Sequence, residues 1–155
     1  SEISHFLSYF VKFQPKTVVD LGAAYGRIGL VLNALIPESK FIGYEILNVR
    51  IKEARRMIQF LSLKNCEMRQ ENILEKDFKL PKADIYFIYD FSDGLGLHII
   101  LNRLSEKFSK ERFFIVAKGE GVRTIIQLKF PEFWSTHGHI HKKNWSIYSS
   151  FTNLS

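Results

Sequence analysis

A single cysteine, Cys66, among 155 residues excludes an internal disulfide. It also excludes the small secreted scaffolds that depend on such cross-links, so a reducing, cytoplasmic compartment is the expectation. No apolar run approaches the roughly 20 residues needed to cross a bilayer, and no membrane span is expected. The N-terminus lacks a basic stretch followed by an apolar segment and a small-residue cleavage site, so no secretory leader is expected either. Repeats, low-complexity tracts and linkers are also missing. Residues 1–155 therefore read as a single domain, long enough for a sizeable core. Acidic residues are outnumbered, 16 against 22 Lys and Arg, for a net charge of +6. That surplus suits an RNA or another acidic partner, and equally a scatter of surface lysines.

What the chain does carry is the stretch Val18-Val19-Asp20-Leu21-Gly22-Ala23-Ala24-Tyr25-Gly26-Arg27-Ile28-Gly29. A β-branched run reaches an acidic residue, crosses a glycine-rich turn and opens a helical pattern. Without a Cβ, glycine allows positive φ or a close approach of backbone to ligand. The amides at the start of the following helix favour electron-rich groups, and Asp20 can hold a cation. Ligands of open α/β sheets bind at such a carboxyl end of a strand. A dinucleotide fingerprint fails here, because positions 22, 24 and 27 are Gly, Ala and Arg. A phosphate-binding P-loop fails too, because Gly26 is followed by Arg27 rather than by Lys and Ser or Thr.

Hydrophobic spacing orders the rest. Ile3, Phe6, Leu7 and Phe10 predict a short amphipathic helix. Thr17 to Leu21 predicts a strand buried on both faces. A helix through Ile28, Val31, Leu32 and Leu35 closes at Pro37, and Phe41 to Ile46 predicts a second strand. Val49 to Leu63 predicts a helix with Ala54, Met57, Ile58 and Leu61 as its buried stripe. Cys66 to Gln70, Ala83 to Tyr89 and Arg112 to Ala117 predict three more strands. A helix through Leu97, Ile100, Leu101, Leu104 and Phe108 separates the last two, and a short helix through Val122, Ile125 and Ile126 ends at Pro131. Two aromatic strands, Phe133 to His141 and Asn144 to Phe151, can pair as a hairpin around Lys142-Lys143. Alternating strands and helices imply parallel strands with crossover helices, an α/β sandwich.

Asp20-x-Gly22-x-x-x-Gly26 resembles the first motif of the class I S-adenosylmethionine-dependent methyltransferases. The resemblance implies an α/β, Rossmann-like three-layer sandwich. Its sheet would be mostly parallel and seven-stranded, order 3-2-1-4-5-7-6, with a C-terminal antiparallel hairpin. It also implies S-adenosyl-L-methionine as cofactor, held by Asp20, Gly22, Ala24, Tyr25 and Gly26. Glu45 ends the second strand beside the first, where a carboxylate can accept both ribose hydroxyls; the plainer alternative is a cap for the next helix. Ile46 would then pack on one adenine face. In the resembling family an acidic or amide group after the third strand meets the adenine amino group. Asn72 stands there, with Ile73 to cover the other adenine face, although a polar turn explains this segment almost as well.

Tyr89-Asp90-Phe91-Ser92-Asp93-Gly94 follows the fourth strand, where such enzymes place chemistry toward the acceptor. The Asn/Asp-Pro-Pro-Tyr/Phe signature of enzymes that methylate base or glutamine amide nitrogens is absent, which argues against those substrates. Asp90 can orient a nucleophile or take a proton, Tyr89 can line a dry mouth, and Ser92 and Asp93 can equally cap a helix. Gly26-Arg27-Ile28, Gly43-Tyr44-Glu45 and the Arg-rich helix after them look like the lysine methyltransferases of membrane ATP-synthase subunits and their prokaryotic relatives. A protein lysine is therefore the expected acceptor. Asp20-Leu21-Gly22-Ala23-Ala24, Asp90 and Ala117-Lys118-Gly119 resemble the ribose 2′-O-methyltransferases of RNA, matching the middle pair of their Lys-Asp-Lys-Glu tetrad. A non-catalytic binding module on the same fold is the alternative from another class. His137, His139 and His141 alternate, so a strand would point them to one face. With no Cys or carboxylate cluster beside them, a solvated polar face is expected rather than a metal site.

Overall fold

The computed structural model describes residues 1–154. The Thr17–Leu21 run forms β1, with Val18, Val19 and Leu21 fully buried, as an apolar strand covered on both faces requires. Lys40–Glu45 forms β2 and Cys66–Gln70 forms β3. Ile85–Tyr89 is β4, Phe114–Lys118 is β5, His139–His141 is β6 and Trp145–Ser149 is β7. The sheet order is β3-β2-β1-β4-β5-β7-β6, with β7 antiparallel to both β5 and β6. This is the Rossmann-like arrangement expected from the sequence.

Contacts within the chain divide it into two compact units, one spanning Ser1–Asn72 and one beginning at Ile73. In the first unit, α1 (Glu2–Ser8) is capped by the Ser1 hydroxyl, which accepts from the Ser4 amide at 3.2 Å. α2 (Arg27–Leu35) follows β1, and α3 (Asn48–Phe60) follows β2. β1 and β2 pair in parallel from Thr17↔Lys40 to Leu21↔Tyr44, and β2 and β3 from Phe41↔Cys66 to Glu45↔Gln70. The three carboxyl ends therefore lie side by side. Gly29 lets α2 approach the sheet, because a Cβ there would sit 2.6 Å from the Phe41 ring and 2.7 Å from Cys66 Sγ.

The second unit holds α4 (Gly94–Phe108), α5 (Glu120–Lys129) and α6 (Pro131–Ser135). β4 and β5 are parallel, with Tyr89 opposite Lys118, and β5 continues the row to β7 with Lys118 opposite Trp145. Its core is aromatic. Phe133 lies 4.8 Å from Phe108 and 5.4 Å from Phe130 between ring centroids, and Tyr86 meets Phe113 edge-on at 5.1 Å.

Several expectations need correction. The strand expected over Phe133 to His141 is a helix in its first part, and only His139–His141 is strand. Pro131 occupies the first helical turn of α6, where its missing N–H costs nothing, so it opens a helix rather than merely ending α5. The stripe expected on α3 also shifts: Ile51 and Ala54 are buried, Met57 and Ile58 only partly so, and Leu61 is exposed. Beside this end of α3 lies an open groove of about 580 Å³, lined by Ile58, Leu63, Cys66 and Met68 among others. Finally, β4 and β5 begin at Ile85 and Phe114, two residues later than expected, and β5 runs on to Lys118.

Candidate functional site

The turn after β1 is stitched to the end of β2. The Gly22 and Ala23 amides both donate to the Tyr44 carbonyl, at 3.1 and 2.7 Å. The Ala24 amide donates to Glu45 Oε2 at 2.9 Å, and the Leu47 amide to Glu45 Oε1 at 3.1 Å. Glu45 is buried and thus fixes two loops at once, while each oxygen keeps lone-pair capacity for a further donor. The turn needs left-handed backbone: φ is 93° at Gly22, 48° at Ala24 and 72° at Gly26. Ala24 is the one L-residue among these, and the conformation costs it roughly 1–2 kcal/mol. Gly26 caps α2 with no side-chain hydrogen bond, so the helix's first amides keep their donor capacity.

Asp20, opposite Gly43 in the β1–β2 register, is the second carboxylate here. It is 4% exposed, and no hydrogen-bond donor or cation among the described residues reaches its carboxylate. Burial, with the nearby Glu45 charge second, raises its pKa from 3.8 to about 7. Pairing such a carboxylate with a cation would offset the desolvation that burial imposes. Around Glu45 the surface is apolar: Ile46 and Tyr25 are about half exposed, and Leu47 and Val49 stand beside them. Arg50, which the sequence did not single out, lies 3.9 Å from Glu45 Oε2 and 5.9 Å from the Tyr25 ring centroid. Its position in the first turn of the helix after Glu45 is the only sequence signal for it. Gln70 Nε2 donates to the Ile46 carbonyl at 3.2 Å, holding that loop from β3.

Asp20, Gly22, Ala24, Tyr25, Gly26, Glu45 and Ile46 thus come together in the first unit. Asn72, partly buried, follows the end of β3 in the same unit.

In the second unit Ile73 is buried, and its carbonyl accepts from Arg103. Tyr89 ends β4 with half its surface exposed, and Lys118 Nζ lies 5.8 Å from its ring centroid. Asp90 has a structural engagement that sequence reasoning missed. Its Oδ2 accepts from the Gly121 amide at 3.1 Å and its Oδ1 from the Val122 amide at 2.7 Å. These are early amides of α5, so Asp90 caps that helix from a distant loop while Gly119, its own N-cap residue, offers no side chain. A Cβ at Gly119 would sit 2.5 Å from Asp90 Oδ2, and its φ is 105°. Asp93 caps α4, accepting from the Gly96 amide at 3.0 Å.

His139 and His141 share a side of β6 with ring centroids 5.8 Å apart. His139 stacks on Tyr148, and Arg123 lies 2.9 Å from His141 Nε2. Partial burial, then Arg123 and His139, lower the His141 pKa. Among the described residues no group of three or more His, Cys, Asp or Glu is placed to hold a metal ion. No helix among them is long and apolar enough to cross a membrane.

Comparison with known proteins meets this geometry. A 79-residue segment is 34% identical to a small-subunit ribosomal RNA methyltransferase G of Flavobacterium johnsoniae; it covers 50% of this chain and 35% of that one. The chain therefore spans about a third of the length of that curated relative. A putative O-methyltransferase of Klebsiella pneumoniae superposes over 99% of this chain and 81% of its own, with a TM-score of 0.69 at 16% identity. An O-methyltransferase of a Brevibacillus brevis multienzyme, solved with S-adenosyl-L-homocysteine, covers 76% of this chain and 40% of its own, with a TM-score of 0.61 at 16% identity. A family model described as a methyltransferase domain matches residues 12–126, which include both carboxylates of the cradle and the Tyr89 strand end, and the chain belongs to that methyltransferase-domain family.

Proposed function

We propose that this chain transfers a methyl group from S-adenosylmethionine to a nucleophile. The observation that carries the reading is Asp20: a buried carboxylate, unpaired by any described residue, beside a glycine turn and a second fixed carboxylate. When bound, the cofactor supplies a methyl group made electrophilic by its sulfonium sulfur. Asp20 in its ionised form offsets the positive charge of such a ligand. Glu45 uses its remaining lone pairs to accept ribose hydroxyls, and Ile46 and Tyr25 offer apolar surface to a purine. Asn72 and Ile73 are the further candidates for the adenine.

On the acceptor side we assign Tyr89 the lining role and Asp90 a positional one. Both Asp90 oxygens are engaged by α5 amides, so it orders the loop that follows β4. A lysine acceptor, with a solution pKa near 10.4, must lose its proton before attack, and a dry mouth favours the neutral amine. The protein-lysine reading rests on Gly26-Arg27-Ile28 and Gly43-Tyr44-Glu45, which sit at the cofactor cradle. An RNA acceptor is supported by the ribosomal RNA methyltransferase segment and by exposed lysines after β6.

Incubating cell lysate with methyl-labelled cofactor tests the proposal. A labelled protein band supports lysine transfer and labelled RNA supports the second reading. Absence of label from both fractions, with cofactor binding intact, would leave a binding module instead of an enzyme.

A further inference from the structure

The hairpin that ends the chain is short of acid. No Asp or Glu occurs after Glu132, while three His and two Lys do. Its turn lies at the carboxyl end of the second unit's strands. Tyr89 pairs with Lys118, Lys118 pairs with Trp145, and the Gly119 amide donates to the Asn144 carbonyl at 3.2 Å. The turn is held from inside by Arg123 of α5. That guanidinium donates to the Lys142 carbonyl at 2.6 Å, the Lys143 carbonyl at 2.8 Å and Ser146 Oγ at 3.0 Å. The Lys142 amide closes the turn onto the Trp145 carbonyl at 2.9 Å. With the backbone so fixed, the two lysine side chains point into solvent. Both residues are exposed, and neither ammonium has a hydrogen-bond or ion-pair partner among the described residues.

Resting on the methyl-transfer reading with an RNA acceptor, we infer that the Lys142-Lys143 turn and the exposed Tyr89 ring form a docking strip for that acceptor as a single strand. Two strand spacings, about 10 Å, separate Tyr89 from the β7 edge of the row. A strand laid along it meets the half-exposed Tyr89 ring, with Lys118 Nζ 5.8 Å from its centroid, at one end and two unpaired cations at the other. Nucleic acid offers both complements, a flat base for Tyr89 and phosphates for the lysines. A run of acidic residues alone offers only the charge. Arg123 takes no part in contacting the strand; it is the positioning residue that presents the two ammonium groups.

The test is fluorescence anisotropy with a labelled oligouridine of about 20 nucleotides, titrated over a range of salt. The double variant Lys142→Gln/Lys143→Gln is expected to bind roughly tenfold more weakly at low salt, with the slope of log K against log salt reduced by about 1.4. Tyr89→Leu is expected to lose about tenfold by removing one stacking platform. Thermal melts of the lysine variant should match wild type, because the altered groups contact nothing. Unchanged oligouridine affinity and slope in the lysine variant overturns the inference. So does displacement of the oligomer by polyglutamate at equal charge concentration. Cofactor titration on the same samples separates the two readings: wild type that binds oligouridine but not cofactor refutes methyl transfer, and wild type that binds cofactor but not oligouridine refutes the strip.

Discussion

At the scale of single residues, the proposed cofactor role rests on Asp20. Its folded pKa, about 7, exceeds the unfolded value of 3.8. Its contribution to stability is therefore fully present below about 3.8 and is lost as pH rises through 7. At higher pH the ionised, buried group weighs against the fold by a few kcal/mol. Asp20→Asn should accordingly melt higher than wild type at pH 8, with the difference vanishing near pH 4, while cofactor affinity falls; scanning calorimetry across that range reads the first part. Site residues that weaken the fold are a common cost of function. Cys66 is shifted in the same sense. Burial pushes its thiol up to about 11, so alkylation by iodoacetamide at pH 8 should be slow until the protein unfolds. The turn itself was readable, because Gly22 and Gly26 take the positive φ that glycine tolerates, at 93° and 72°. Arg50 and Arg123 were not, since an arginine's partners are set by tertiary approach alone.

Helices and loops show where short-range signals succeed and fail. α5 begins at a glycine and borrows its cap from Asp90, a link across 32 residues that no local pattern contains. Asp90→Ala should lower stability by about 1–2 kcal/mol through loss of that cap. Gly119→Ala should do similar damage, since its Cβ would meet Asp90 Oδ2 at 2.5 Å in a left-handed backbone, whereas Gly94→Ala, with open space around it, should not. Denaturant melts of the three compare them directly. Gly29→Ala is expected to cost about 1–3 kcal/mol by forcing α2 from the Phe41 ring. Aromatic residues misled the reading of α6. Phe133 and Trp134 suit a strand by propensity, but packing of Phe133 against Phe108 and Phe130 favoured a helical turn after Pro131. On α3 the helical period was clear, and its end at Phe60, three residues before Leu63, was not.

At the level of the whole chain, the alternation of strands and helices made the fold class readable, and the motif resemblance supplied the strand order that periodicity alone leaves open. The family match over residues 12–126 accords with both. Net charge, +6, carries less information than its placement: the acid-free hairpin was visible in the sequence, but its position beside Lys118 needed the strand register. A ligand that binds only the native state raises its melting temperature. S-adenosylmethionine at about 100 times its Kd should therefore raise the wild-type Tm by about 5–10 °C. The same concentration should raise Asp20→Ala by about half as much or less.

Isothermal titration of S-adenosylmethionine into wild type and Asp20→Asn at pH 8 reaches the central claim most directly. Saturable, one-to-one binding in wild type and a loss of at least about tenfold in the variant, equivalent to 1.4 kcal/mol, is the result expected of a carboxylate that offsets the ligand's charge. Equal affinity in both proteins, with the variant folded, would contradict it.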